Sequence, residues 1–212
     1  MPNGRQRLKQ YGSIACVQSV SGYVESVDKT FFRRWFSNAA PAPVQETTEA
    51  QAERGDAAAQ FSLGVKYANG KGTALDYAQA EHWYLKAAEQ NHALAQFNLG
   101  MMFANGQGRP RDRAKSLAWI QKAADLGDAG AQYSLGITHQ RAIRDGLPEN
   151  ASQSRIDAYK WLRLAADQNY HGAGTLCEMV NLGMTREDVV EGGRRVAAFN
   201  AESKSRSQLA EG

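Results

Sequence analysis

Residues 59–64 read Ala59-Gln60-Phe61-Ser62-Leu63-Gly64, and the phrase returns as Ala95-Gln96-Phe97-Asn98-Leu99-Gly100 and as Ala131-Gln132-Tyr133-Ser134-Leu135-Gly136. The step from Gln60 to Gln96, and again from Gln96 to Gln132, is 36 residues. A second phrase follows each copy: Trp83-Tyr84-Leu85-Lys86-Ala87-Ala88, Trp119-Ile120-Gln121-Lys122-Ala123-Ala124 and Trp161-Leu162-Arg163-Leu164-Ala165-Ala166. The step from Trp119 to Trp161 is 42, so the third unit carries six extra residues. Self-similarity at a fixed period of this length marks a solenoid, in which each unit buries its apolar face against its neighbours.

Each unit holds two helical periodicities. Phe61, Leu63-Gly64 and Tyr67 recur at helical spacing, as do Ala80, Trp83-Tyr84 and Ala87-Ala88 after a turn, which predicts an antiparallel helix pair. Ala68-Asn69-Gly70-Lys71-Gly72 and Ala104-Asn105-Gly106-Gln107-Gly108 place glycine where a helix end needs a left-handed residue. Asp76, Asp112 and, in the third unit, Ser154 stand in the register of N-caps for the second helices. Gly64, Gly100 and Gly136 lie inside the first helices, where each costs about 1 kcal/mol relative to alanine. Close approach of a neighbouring helix offsets that cost. The alanine pairs supply the facing surface, and Trp83, Trp119 and Trp161 are expected to fill the space between helices.

The repeats occupy 55–90, 91–126 and 127–168, within a solenoid expected over 44–184. Residues 44–54 align with the end of a second helix and read as a capping piece with a polar outer side. Residues 169–184 keep the register of a partial unit, and 185–212 form a closing helix from about Arg186 to Glu202 followed by a frayed tail. Thr185-Arg186-Glu187-Asp188 has the pattern of a capping box, and Val189, Val190, Val196 and Phe199 supply the closing helix's apolar face. The third unit's insertion prolongs its first helix through Gln140-Arg141-Ala142-Ile143-Arg144, stops it at Asp145-Gly146 and loops through Leu147-Pro148-Glu149-Asn150. Such an insertion is compatible with tolerated drift and with contact to a partner.

Residues 1–43 stand outside the repeat. Ile14, Val17, Val20, Val24, Val27, Phe31 and Trp35 trace one face of an amphipathic helix, ended by Phe31-Phe32-Arg33-Arg34-Trp35-Phe36 and followed by an Ala/Pro linker at 39–43. Aromatics beside paired arginines suit an anionic membrane surface. A helix capping the solenoid, an unstructured tail and a docking segment are the competing readings.

The composite pattern Ala-x-Ala-Gln-(Phe or Tyr)-x-Leu-Gly, then Ala-Asn-Gly-x-Gly, then an Asp before Trp-x-x-Lys-Ala-Ala, resembles the Sel-1-like repeat, a relative of the tetratricopeptide repeat. The resemblance spans about Gly55 to Tyr170 in three units. It implies an all-α fold, a right-handed alpha-alpha superhelix of about three helix pairs with capping helices, and work as a non-catalytic adaptor holding a protein or peptide segment on its concave face. Met184-Thr185-Arg186-Glu187 before an Arg-rich helix is similar to the closing segment common in bacterial members. Departures are His139 where the repeat expects tyrosine, a third turn without Asn-Gly-x-Gly, and absence of the cysteines of the family's secreted branch.

The balance of charge and chemistry agrees. In 212 residues, 25 Lys and Arg stand against 22 Asp and Glu, so a net charge of +3 offers no dense basic face for nucleic acid. His82, His92, His139 and His171 have no metal-ligand spacing, and no serine, cysteine or threonine sits in a nucleophile motif. No catalytic residue, metal or cofactor is therefore assigned. Cys16 and Cys177 stand far apart, which favours a reducing, cytoplasmic setting, with membrane association through Phe31–Phe36 as an option. The stretch after Arg5, Arg7 and Lys9 is too short and polar for the core of an export signal. First-helix positions that vary between units are the expected partner contacts: Ser62, Asn98 and Ser134, then Lys66, Met102 and Thr138, with His139 beside them. The competing reading is an exported protein that binds cell-wall material or a periplasmic partner.

Overall fold

The computed structural model describes residues 47–146 and 150–211. The helix expected over residues 14–35, its Phe31–Phe36 end and the linker at 39–43 lie outside them, as do loop residues 147–149. Among the described residues every element is a helix: α1 (Thr48–Glu53), α2 (Ala57–Asn69), α3 (Tyr77–Glu89), α4 (Ala93–Asn105), α5 (Arg113–Asp125), α6 (Ala129–Arg144), α7 (Ala151–Asp167), α8 (Ala173–Leu182) and α9 (Arg186–Glu211). Helices pack in consecutive pairs, α2 on α3, α4 on α5 and α6 on α7, and each pair packs on the next. This is an alpha-alpha solenoid.

Helix ends follow the residues that terminate them. Asp56, His92 and Asp128 cap the first helices, and Asp76 and Asp112 cap α3 and α5, each accepting backbone N–H bonds that the first turn leaves unpaired. Gly70 and Gly106 take the left-handed conformation, φ 64° and 71°, that closes α2 and α4. The third unit departs from expectation, because Asn150 rather than Ser154 is the N-cap of α7. The helix begins a turn earlier, with Ser154 already donating its N–H to the Asn150 carbonyl. Together with the growth of α6 to 16 residues against 13 in α2 and α4, this turns most of the insertion into helix.

The mid-helix glycines receive large side chains. A Cβ on Gly100 would stand 2.6 Å from Ile120 Cγ1, and one on Gly136 2.5 Å from Leu162 Cγ; one on Gly64 would overlap the Tyr84 ring. The space between paired helices thus belongs to Tyr84, Ile120 and Leu162, the residues after the tryptophans. Among the three indoles only Trp161 is fully buried; Trp83 and Trp119 are half-buried, with Lys86 and Lys122 lying 4.5 and 4.2 Å from their ring centres. One position along a helix turns a side chain by roughly a quarter of the circumference. Trp83 and Trp119 accordingly sit on the flank of the contact, while Trp161 joins a core with Leu135, Leu164 and Val196.

A glutamine ladder ties unit to unit. Gln60, Gln96 and Gln132 are buried, and their Nε2 groups donate to the carbonyls of Ala52, Ala88 and Ala124 at 3.1, 3.0 and 3.3 Å. Those carbonyls belong to the last turns of α1, α3 and α5, where each also accepts the N–H of Gly55, Asn91 or Gly127 from the following turn, so the glutamine takes the oxygen's second lone pair. The same bond at Ala52 gives α1 the role of a preceding unit's second helix. In the first and third units a further glutamine closes the arrangement. Gln90 Nε2 donates to Gln60 Oε1 (2.8 Å) and the Gly55 carbonyl (2.9 Å), and Gln168 Nε2 to Gln132 Oε1 (2.9 Å) and the Gly127 carbonyl (3.0 Å).

The closing helix α9 begins with a reciprocal capping box: Asp188 N–H donates to Thr185 Oγ1 and Thr185 N–H to Asp188 Oδ2, both at 3.2 Å. Ser152 Oγ also donates to Asp188, and these bonds hold the Asp188 carboxyl below its ordinary range. Arg195 bridges α9 to α7 through Asp157 at 2.7 Å and pairs with Glu191 at 2.8 Å, while Arg194 donates to Glu191 as well. The two guanidiniums pull Glu191 down to about 2. Val196 is buried and Phe199 meets Trp161 edge-on at 5.9 Å, whereas Val190, counted in the apolar face, is 67% exposed. The helix is longer than the expected span from about Arg186 to Glu202. The helix continues to Glu211, with Arg206 donating to the Asp125 carbonyl at the end of α5 (2.9 Å) and lying over Phe199.

Two outcomes test these packing arguments. Gly100→Ala is expected to lower the unfolding free energy by about 1–3 kcal/mol through overpacking against Ile120. Gly193→Ala in α9, where a Cβ meets nothing within 4 Å, is expected to raise it by about 0.4–1 kcal/mol. Urea unfolding followed by circular dichroism reads both, and equal signs would refute the contact. Gln168→Leu should cost about 1–3 kcal/mol in the same assay, because Gln132 Oε1 then stays buried without a donor.

Candidate functional site

The extra turn of α6 builds one wall of a cleft of about 460 Å³ between α4, α5 and α6. Met101 and Ala104 come from α4, Arg113, Ser116, Leu117 and Ile120 from α5, and Tyr133, Ser134, Ile137, Thr138, Arg141 and Ala142 from α6, with Asp145 at the end. Met101, Leu117, Ile120 and Ile137 give an apolar lining, and polar groups interrupt it. Ser134 Oγ donates to the Gly130 carbonyl and Thr138 Oγ1 to the Ser134 carbonyl, both at 2.8 Å. Each hydroxyl oxygen keeps lone pairs with which to accept a bond from an incoming group. Arg113 and Arg141 are exposed, while Asp145 is paired with Arg144 at 3.0 Å, so the cleft's unneutralised charge is positive. Such a lining recognises shape, apolar side chains and a carboxylate or carbonyl. No nucleophile with an adjacent base stands in it.

Of the variable first-helix residues, the structure brings Ser134 and Thr138 together in this cleft and leaves the others elsewhere. Ser62 is exposed and donates to the Ala58 carbonyl at 2.8 Å. Lys66 pairs with Glu49 at 2.7 Å, binding α2 to α1. Asn98 donates to the Tyr84 hydroxyl at 3.1 Å, bridging first and second units. Met102, expected at the surface by elimination, is 4% exposed and belongs to the core formed with Tyr84 and Leu99. Its register partners Lys66 and Thr138 are polar, and a flexible apolar side chain at the same register joins the core instead. His139 is half-buried, and burial pushes its pKa down against the opposing charge of Asp157.

The cleft residues that sequence reasoning missed had faint signals. Val65, Met101 and Ile137 share a register and are all apolar, which made them indistinguishable from core. Arg141 lay in the insertion and was read as helix extension. Among the described residues no group of three or more His, Cys, Asp and Glu side chains could hold a metal ion. None of their helices is long and apolar enough to cross a membrane.

Comparison with known proteins follows the same repeat. Residues 57–92, 93–128 and 129–170 each match the Sel1 repeat. Among solved structures, a Sel1 repeat protein from Oxalobacter formigenes is 30% identical with a TM-score of 0.52, the alignment covering 69% of this chain and 98% of that one. A protective antigen present in uropathogenic Escherichia coli strains, which displays an SLR fold, aligns at 19% identity and TM-score 0.43 over 76% of this chain and 50% of its own. No curated protein matches.

His139 offers a titration test. A histidine whose folded pKa lies below its unfolded value of about 6.5 resists protonation in the native state, so stability falls as pH drops below that value and is unaffected well above it. His139→Tyr, which restores the ring of Tyr67, should shrink the loss of unfolding free energy between pH 7.5 and 5.5. Urea titrations of both proteins at the two pH values measure it, and an unchanged difference would refute the burial argument.

Proposed function

Because the chain belongs to the Sel1 repeat family, whose members are generally scaffolds for protein–protein interaction, we propose that it is a non-catalytic adaptor holding a segment of a partner protein in the cleft between α4, α5 and α6. The observation that carries this is the cleft's composition: an apolar lining crossed by Ser134, Thr138, Arg113 and Arg141, at the one place where α6 outgrows its counterparts α2 and α4. An extended peptide would set an apolar side chain on Ile137 and Leu117 and offer carbonyl or carboxylate oxygens to the arginines. The lining combines residues of the first helices α4 and α6 with Arg113, Ser116, Leu117 and Ile120 of the second helix α5. Of the residues first assigned to this role, Ser134 and Thr138 remain central. Ser62, Lys66, Asn98 and His139 contribute at most to a longer footprint along the neighbouring helices. A cytoplasmic setting remains part of this reading, resting on the sequence alone, in which Cys16 and Cys177 stand far apart.

Site-specific photocross-linking in cells tests the reading. A benzophenone side chain at Thr138 is expected to yield a defined protein adduct, and one at exposed Ala118 on α5 is not. Ser134→Trp, which fills the cleft, should reduce the Thr138 adduct by at least about tenfold while leaving the thermal midpoint within a few degrees. Equal adducts from both positions, none from Thr138, or an adduct indifferent to Ser134→Trp would overturn it.

A further inference from the structure

The middle unit breaks the glutamine arrangement that the first and third complete. Gln90 and Gln168, at the ends of α3 and α7, each give one side-chain amide to a buried glutamine oxygen and a turn carbonyl at once. The same position at the end of α5 is Leu126, whose side chain cannot donate and which is 41% exposed. Gln96 Oε1 is consequently buried without a hydrogen-bond partner, while the rest of that side chain is held by its bond to the Ala88 carbonyl. Asn91 stands where Gly55 and Gly127 stand, and its backbone is likewise left-handed, φ 62° against 103° and 94°. Over Gln96 and Asn91 a cleft of about 350 Å³ opens, walled by Glu89, Trp119, Lys122, Asp125 and Leu126.

We propose that this cleft binds a primary carboxamide, the side chain of a glutamine or asparagine in a peptide partner, whose NH2 group takes the place that Gln90 and Gln168 Nε2 fill in the flanking units. Chemistry selects that group. The site holds two acceptors, Gln96 Oε1 buried in the floor of the cleft and the Asn91 carbonyl, at positions whose counterparts in the flanking units receive both hydrogens of one planar amide. A carboxylate of identical shape brings no hydrogen and meets two oxygen dipoles. An ammonium brings hydrogens but loses far more hydration on entering a buried site. Trp119 and Leu126 offer apolar surface to the methylenes that lead to the amide. This surface lies on the α3–α4 turn and the end of α5, apart from the cleft between α4, α5 and α6, so each can succeed or fail alone.

A titration of the 15N-labelled full chain decides it, using N-acetylglutamine methylamide as probe and the glutamate and lysine analogues as controls. The glutamine probe is expected to shift the Gln96 side-chain amide and the Trp119 indole N–H saturably, with a dissociation constant on the order of 1–10 mM, and the controls to bind at least about fivefold more weakly. Leu126→Gln supplies the missing amide from the chain itself, and should abolish the response while its spectrum elsewhere stays that of the folded protein. A glutamate or lysine probe that binds equally, a variant that still responds, or the absence of a saturable shift would each overturn the proposal.

Discussion

Everything in this solenoid depends on how closely the two helices of a unit approach. Gly64, Gly100 and Gly136 remove a side chain from the middle of each first helix, and Tyr84, Ile120 and Leu162 lie against the backbone thus exposed. A hydrogen in place of a methyl group sets the separation within the pair, and through it the width left for the next pair. Ala87-Ala88, Ala123-Ala124 and Ala165-Ala166, nearly all without exposure, then let the following unit settle on the second helix. Close packing of this kind tolerates neither added nor missing volume, which is why the same small residues recur at the same places.

Polar groups couple the units where packing alone leaves register free. The last-turn carbonyls of Ala52, Ala88 and Ala124 each accept one turn N–H, and the repeat uses a buried glutamine from the next unit as the second donor each time. Because an amide in the interior must satisfy both its donor and its acceptor ends, one such residue calls for another, and Gln90 and Gln168 answer. The chain departs from this scheme at Leu126 alone among its three full units. Departures from an otherwise consistent pattern are where a protein's individual properties concentrate, and the elongated α6 is the second such departure.

The fold was legible because the recurrence is long and its punctuation chemical: Gly70 and Gly106 end helices, Asp76 and Asp112 start them, and Thr185 with Asp188 forms the predicted capping box. What escaped was the rotation of individual side chains. Adjacent positions such as Trp83 and Tyr84 share the same composition signal, and only geometry says which enters the contact. The candidate site was half legible for a related reason. Variation between repeats marks Ser134 and Thr138, which line the cleft, but it also marks Met102, which joins the core, and Lys66, which pairs with Glu49 of α1. A single chain shows that a position changes without showing what the change faces.

The reach of α9 has a consequence for how the stack comes apart. In a linear array each unit answers only to its neighbours, so a terminal unit can peel away while the rest stands. Here Arg206 spans from the last helix to the Asp125 carbonyl of α5, and Arg195 fastens the same helix to α7. The final pair is therefore latched on both sides, and stripping it from the end means first undoing a clasp anchored one unit further in.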